Sequence, residues 1–293
     1  MSEYWYFSFW VGLISLAGAA AVFLASIRWR VGRASAMTTT GASFLVPAGT
    51  EPRYLARPFS LGMTLLWLAA SAFLASLIMR TIAAQAPPMA SMWGYFLAMG
   101  FAMTLFGGWF GQRYREPTIP LVIAVVVLAG LLASERYFDP AIRPLIPALQ
   151  ANRLLTVHVA TMTLSYGMIT TASAASAVYL VKSYVPQFPG LPPAEKALRI
   201  AHHAAILALP LLTLGVALGA YWANSAWGRY WGWDPKETAS LLTWLMLVEY
   251  MHMQGLRKWR GRRASWMLVI AFGSIVFNMV AVNFWITGLH SYA

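Results

Sequence analysis

Apolar residues run along this chain in eight long stretches, near 4–26, 58–79, 90–111, 118–134, 154–181, 203–223, 236–254 and 265–287. A helix needs about 20 such residues to cross the ~30 Å hydrocarbon core of a bilayer. Each stretch therefore predicts a membrane-spanning helix, the fourth being the shortest. Seven of the eight hold no charged residue, and the other, seventh in order, carries Glu249 in its interior beyond Lys236 and Glu237 at its start. The connection 27–57 is basic, with Thr, Gly and Pro, and Pro140, Pro144 and Pro147 break up the connection 135–153. Glu3 is the sole charged residue ahead of the first stretch, and the basic cluster follows it. That order is the reverse of a cleaved signal peptide, so the stretch is expected to remain as a span. The pattern predicts an all-α integral membrane helical bundle of about eight transmembrane helices, in one polytopic domain over 1–293.

Composition and charge agree with the pattern and add an orientation. Hydrophobic residues make up 59% of the 293 and charged residues 10%, and mean hydropathy is +0.61. A soluble domain carries about 25% charged residues, so this chain cannot clothe a water-facing surface. Fifteen of the 21 Lys and Arg follow the first, third, fifth and seventh stretches, among them Arg28, Arg30, Arg33, Arg257, Lys258, Arg260, Arg262 and Arg263. The alternate connections hold six: Arg80, Arg136, Arg143, Arg153, Arg229 and Lys236. Basic connections stay on the cytoplasmic side, which puts both termini outside. The net charge of +12 is thus a topology signal, and membrane lipid rather than nucleic acid is the expected surroundings. With no cysteine in the chain, disulfides, thiol redox chemistry and Cys-ligated metals are excluded.

Five histidines carry the candidate chemistry: His158, His202, His203, His252 and His290. His158 lies about 6 Å into the fifth stretch. His290 follows the eighth, just past Gly288, a candidate helix cap. Between the sixth and seventh stretches lies the loop 222–237, with Trp222, Trp227, Tyr230, Trp231, Trp233 and Asp234. Two crossings separate His158 from this loop and two more separate it from His290, so all three features share one side of the membrane. Trp and Tyr gather at membrane interfaces as anchors. Five large aromatics within twelve residues exceed that need. Asp234, Pro235 and Glu237 have the spacing of a capping box with Pro in the first turn, a role preferred here over acid–base chemistry. A lone interfacial His is ordinarily only a polar residue. Two on the same side as an aromatic platform fit a bis-His haem pocket, because neutral imidazole ligates iron.

His252 is different, about 25 Å along the seventh stretch. Glu249, three residues earlier, shares its helix face. Ionisable residues within a span are costly and point to function, with Glu249 orienting the imidazole. The alternative is a Glu–His pair satisfying itself inside the bundle. His202 and His203 open the sixth stretch at the opposite surface and read as interfacial residues.

The run Trp227-Gly-Arg-Tyr230-Trp231-Gly-Trp233-Asp234-Pro-Lys-Glu237-Thr resembles the tryptophan-rich signature of haem-handling membrane proteins. The ending Val282-Asn283-Phe-Trp-Ile-Thr-Gly288-Leu289-His290-Ser291-Tyr292 is similar to the C-terminus of the CcsA/ResC branch of cytochrome c biogenesis proteins, and 209–223 resembles that branch too. The resemblance covers roughly 150–293, which marks that part as the haem-handling core; the first half matches in hydropathy alone. It implies a multi-pass protein of the bacterial inner or plasma membrane with its functional face outside. It also implies a subunit of a cytochrome c synthase, partnered by a ResB/CcsB-type membrane protein. Haem b would cross to the outer face and be joined to the thiols of a Cys-X-X-Cys-His motif in apocytochrome c. By position, His158 and His290 match the external axial ligands, Trp222 to Asp234 the surface between them, and His252 the buried histidine of an internal haem site completed by the partner. A related carrier of the CcmC type, loading haem onto a separate chaperone without catalysing attachment, is the alternative.

Overall fold

The computed structural model describes residues 3–39, 53–142, 153–286 and Gly288. Eight helices account for nearly all of them: α1 (Tyr4–Thr39), α2 (Arg53–Ala84), α3 (Met92–Tyr114), α4 (Thr118–Tyr137), α5 (Arg153–Tyr184), α6 (Ala194–Trp227), α7 (Pro235–Gly255) and α8 (Arg262–Phe284). Among the described residues there is no strand. Six helices (α1, α2, α4, α5, α6 and α8) are long and apolar enough to cross a membrane. At 23 and 21 residues, α3 and α7 have the length for it. The chain is a multi-pass membrane helical bundle. The fourth span, shortest in the sequence pattern, runs on to Tyr137 and has the highest hydropathy of the six, 2.2.

Successive helices run antiparallel and close into two rings. In the first, α1 packs on α2, α2 on α3, α3 on α4 and α4 back on α1. In the second, α5 packs on α6, α6 on α7, α7 on α8 and α8 back on α5. The rings meet where α5 lies against α3 and α4. That central place explains why 78% of its most apolar window is buried, against 28–50% for the other spans. It also explains why α5 is rich in small and hydroxylated residues. Without water to drive association, close approach of small side chains holds membrane helices together. Buried Thr170 and Thr171 return their hydroxyls to the carbonyls of Tyr166 and Gly167.

Each end of the bundle has a polar lock. At the end where α1 starts, Arg80 is 3% exposed. Its guanidinium lies 4.6 Å from the ring centroid of Trp5 and 5.0 Å from that of Trp93, where ring faces stabilise a cation. It donates to the Pro140 carbonyl at 2.7 Å and to Ser91 Oγ at 3.3 Å. It thereby ties together the turn before α3 and the connection after α4. Beside it Glu135 accepts from Tyr6 Oη and from Trp93 Nε1. At the opposite, basic end Glu116 is 1% exposed. It accepts from Lys196 Nζ at 3.1 Å and Thr118 Oγ1 at 2.9 Å, joining the α3–α4 turn to the start of α6. A buried charge is tolerable only when paired and hydrogen-bonded in this way.

The expected loop 222–237 is shorter in the fold. Trp222 to Trp227 form the last turns of α6, and the irregular segment is 228–234. Gly228, at φ +72°, ends the helix, and its N–H returns to the Asn224 carbonyl at 2.9 Å, as a left-handed glycine cap does.

Candidate functional site

The segment after Gly228 is fixed by the start of α7. Asp234 is the N-cap, its Oδ2 accepting from the Lys236 N–H at 3.1 Å, and Pro235 takes the first turn. Glu237 Oε2 reaches back to the N–H groups of Asp234 at 3.1 Å and Gly232 at 2.8 Å. This is the capping box the spacing suggests, and it uses both acids on backbone donors that would otherwise be orphaned. Immediately before it, Trp233 sits at φ +58°. That region is unfavourable for a bulky side chain and costs about 1–3 kcal/mol. The result is an indole 69% exposed and edge-on to Trp231, with ring centroids 5.8 Å apart.

His158 reaches the same end of the bundle from α5. Gly215 and Gly219 stand one turn apart on α6 and face Met162 and His158, one turn apart on α5. A Cβ on Gly219 would lie 2.5 Å from His158 Cε1, and one on Gly215 would lie 2.6 Å from Met162 Sδ. Only glycine leaves room for the imidazole. Its Nδ1 is 2.7 Å from the Gly215 carbonyl oxygen. A carbonyl can only accept, so Nδ1 carries a proton, as in the tautomer whose Nε2 is suited to metal ligation.

Around His158 lies a cavity of about 220 Å³. Its walls are largely apolar, with Met89, Met92, Met162, Trp222 and Trp231 among them. Tyr95, Tyr166 and Asn278 also line it, Asn278 Nδ2 donating to Tyr166 Oη at 3.5 Å. The volume is below the about 300–1,000 Å³ common for ligand pockets, so the cavity takes an edge of a flat macrocycle and not the whole of one. An imidazole of the right tautomer, indole rings and an apolar wall fit such a group.

The predicted residues do not all come together. His158, Trp222 and Trp231 line one cavity. Trp227 backs it, edge-on to Trp222 at 4.8 Å between centroids. Tyr230 is 57% exposed and, like Trp233, turns outward. Asp234 is buried beneath them as the cap. His290 lies outside the described residues. Gly288, two positions before it, is placed against this site: a Cβ there would lie 2.6 Å from Asp234 Oδ1.

At the basic end, His252 Nδ1 donates to the Val248 carbonyl at 2.9 Å rather than to Glu249. Both Glu249 and His252 are exposed, on one stripe of α7 with Leu242 and Leu245. The expected Glu–His pairing inside the bundle gives way to a polar pair on its outer surface. His202 and His203 bond to Tyr250 and Tyr114 respectively, tying α6 to α7 and α3. Lys236 and Gly219 line the cavity and Gly215 bonds His158, roles the sequence reading did not give them. The signal for the glycines was Gly-x-x-x-Gly on α6 matched by His-x-x-x-Met on α5, visible only once the two helices are paired.

The cytochrome c assembly protein family matches residues 58–290. The cytochrome c biogenesis protein CcsA of Gloeobacter violaceus is 31% identical, covering 60% of this chain and 68% of the relative. CcsA of Guillardia theta is 35% identical over 51% of this chain and 56% of its own length. Protein NrfI of Wolinella succinogenes is 38% identical over 58% of this chain but only 20% of its own length. With four-fifths of its length inside that match, the chain belongs to the cytochrome c assembly protein family.

Proposed function

We propose that this chain works in cytochrome c biogenesis. It binds haem b at the cavity around His158 and presents it, on the outer face of the cell membrane, to the Cys-X-X-Cys-His motif of an apocytochrome. The observation that carries the reading is the cavity itself. It joins an imidazole whose tautomer is set by the Gly215 carbonyl to Trp222 near the end of α6 and Trp231 of the tryptophan-rich signature. His158 and His290 would hold the haem iron, Trp222 and Trp231 would line the ring, and the exposed Tyr230 and Trp233 would meet the incoming polypeptide. Haem supplies vinyl groups to which thiols add. This chain places that edge and keeps water from the ring. The relatives' roles in cytochrome c biogenesis support the assignment.

The exposed stripe of α7 supports a partner. Glu249 and His252 sit on an exposed stripe with Leu242 and Leu245, where ionisable side chains facing lipid are costly. A ResB/CcsB-type subunit covering this stripe would bury both and complete an internal haem site at His252. The test is a bacterial host without its own cytochrome c maturation, supplied with this chain, that partner and an apocytochrome. Covalent haem is read by in-gel peroxidase staining. Staining with the wild type and its loss in His158→Ala are expected. An unstained apocytochrome, with haem accumulating on a separate chaperone, would establish the CcmC-type carrier reading instead.

A further inference from the structure

Five of the seven residues from Arg257 to Arg263 are cations: Arg257, Lys258, Arg260, Arg262 and Arg263. They fill the turn between α7 and α8 and the first turn of α8, and all five are exposed. Orientation in a membrane depends on how many basic residues a connection holds; it does not require their heads to be seated anywhere. Here two heads are seated on rings. The Arg262 guanidinium lies 5.2 Å from the ring centroid of Tyr184, the last residue of α5, and that of Arg263 lies 4.8 Å from the ring of Trp259. One turn further along α8, Trp266 Nε1 donates to Tyr184 Oη at 3.4 Å. A guanidinium over a ring face is attracted to it and still presents its planar fork of N–H groups to an acceptor. No acidic residue follows Glu249 in the sequence, and among the described residues none of the five cations pairs with a carboxylate.

Below these cations, the seam where α5 packs against α8 has the polarity order of a lipid molecule. Exposed Tyr184 and Trp266 lie at its mouth, the level that Tyr and Trp take at a membrane surface. Exposed Val181, one turn back along α5, and Ile270, one turn on along α8, lie deeper. Cation, ring and aliphatic side chain follow one another from the surface inward. We propose that this seam is a binding site for an anionic phospholipid. Arg262 and Arg263 hold its phosphate through charge-assisted hydrogen bonds, Tyr184 and Trp266 flank it at the interface, and Val181 and Ile270 meet its acyl chains. Arg257, Lys258 and Arg260 draw anionic lipid toward the turn without fixing where it settles. The site stands apart from the haem reading, at the opposite end of α5 from His158.

The test titrates the full chain, purified in detergent and stripped of lipid, with phosphatidylglycerol or with phosphatidylcholine of the same acyl chains. Bound lipids are counted by native mass spectrometry. The wild type is expected to bind its first phosphatidylglycerol about tenfold more tightly than its first phosphatidylcholine, as two interfacial cations can provide. Arg262→Gln with Arg263→Gln brings that preference to within about twofold. It leaves phosphatidylcholine binding and the thermal midpoint unchanged, which shows an intact fold. Arg257→Gln with Lys258→Gln removes the same charge from the same turn and keeps most of the preference. Equal loss from the two pairs would make the attraction one of net charge and overturn the proposal. So would a wild type that binds the two lipids alike. In a parallel melt, phosphatidylglycerol is expected to raise the thermal midpoint and inorganic phosphate is not. A rise with phosphate alone would make this a free-anion site, which also overturns the proposal.

Discussion

His158 owes its position to two glycines. Gly219 leaves the space its imidazole occupies and Gly215 supplies the carbonyl that takes its Nδ1 proton. Gly219→Ala puts a methyl group 2.5 Å from His158 Cε1, closer than carbon atoms approach. Either the ring turns away or α5 and α6 separate, at a cost of about 1–3 kcal/mol. Haem affinity is expected to fall by roughly five- to 150-fold, measured by Soret titration. Gly228→Ala, whose added Cβ meets nothing within 4 Å, is expected to change iron ligation little, although it strains the α6 cap at φ +72°. The two variants separate loss of the ligand's seat from loss of a helix end.

Among the elements, α7 is built by its first four residues. Asp234 is read as a cap, so what it needs is a short side chain that accepts a hydrogen bond, and not a charge. Asn caps helices about as well as Asp, whereas Ala forfeits about 1 kcal/mol. Asp234→Asn is therefore expected to match the wild type in thermal stability and haem content. Asp234→Ala should lower the thermal midpoint by roughly 2–4 °C and loosen the turn that carries Trp231. Equal damage from both variants would make Asp234 a charged participant and overturn the capping account. This cap was legible in the sequence because it is local: four adjacent residues encode it. The spans were legible for the same reason, since lipid imposes one rule on every residue of a crossing helix. The extension of α6 through Trp227 was not, because aromatic residues near a membrane surface suit a loop and a last helical turn alike. The outward face of His252 was also hidden. Sequence spacing pairs it with Glu249, but the i−4 carbonyl of Val248 competes for the same N–H. Only packing decides which face of α7 is turned inward.

For the whole molecule, the account requires the cavity end to face outward and the Arg- and Lys-rich end to face the cytoplasm. The chain has no cysteine, so single cysteines can be introduced and labelled directly in intact cells. Tyr230→Cys is expected to react with a membrane-impermeant maleimide. Lys258→Cys, in the turn between α7 and α8, should react only after permeabilisation; the opposite pattern would invert the topology. The central claim is that one end of the α5–α8 ring holds haem through His158. Its most direct measurement is the haem content and visible spectrum of the chain purified together with the proposed ResB/CcsB-type partner. Wild type is compared with His158→Ala, His290→Ala, the double variant and His252→Ala. The account predicts a bis-His spectrum in the wild type that changes with either outer substitution and is lost with both. Haem and spectrum untouched by both outer substitutions, and lost only with His252→Ala, would place the cofactor at the other end of the molecule and contradict it.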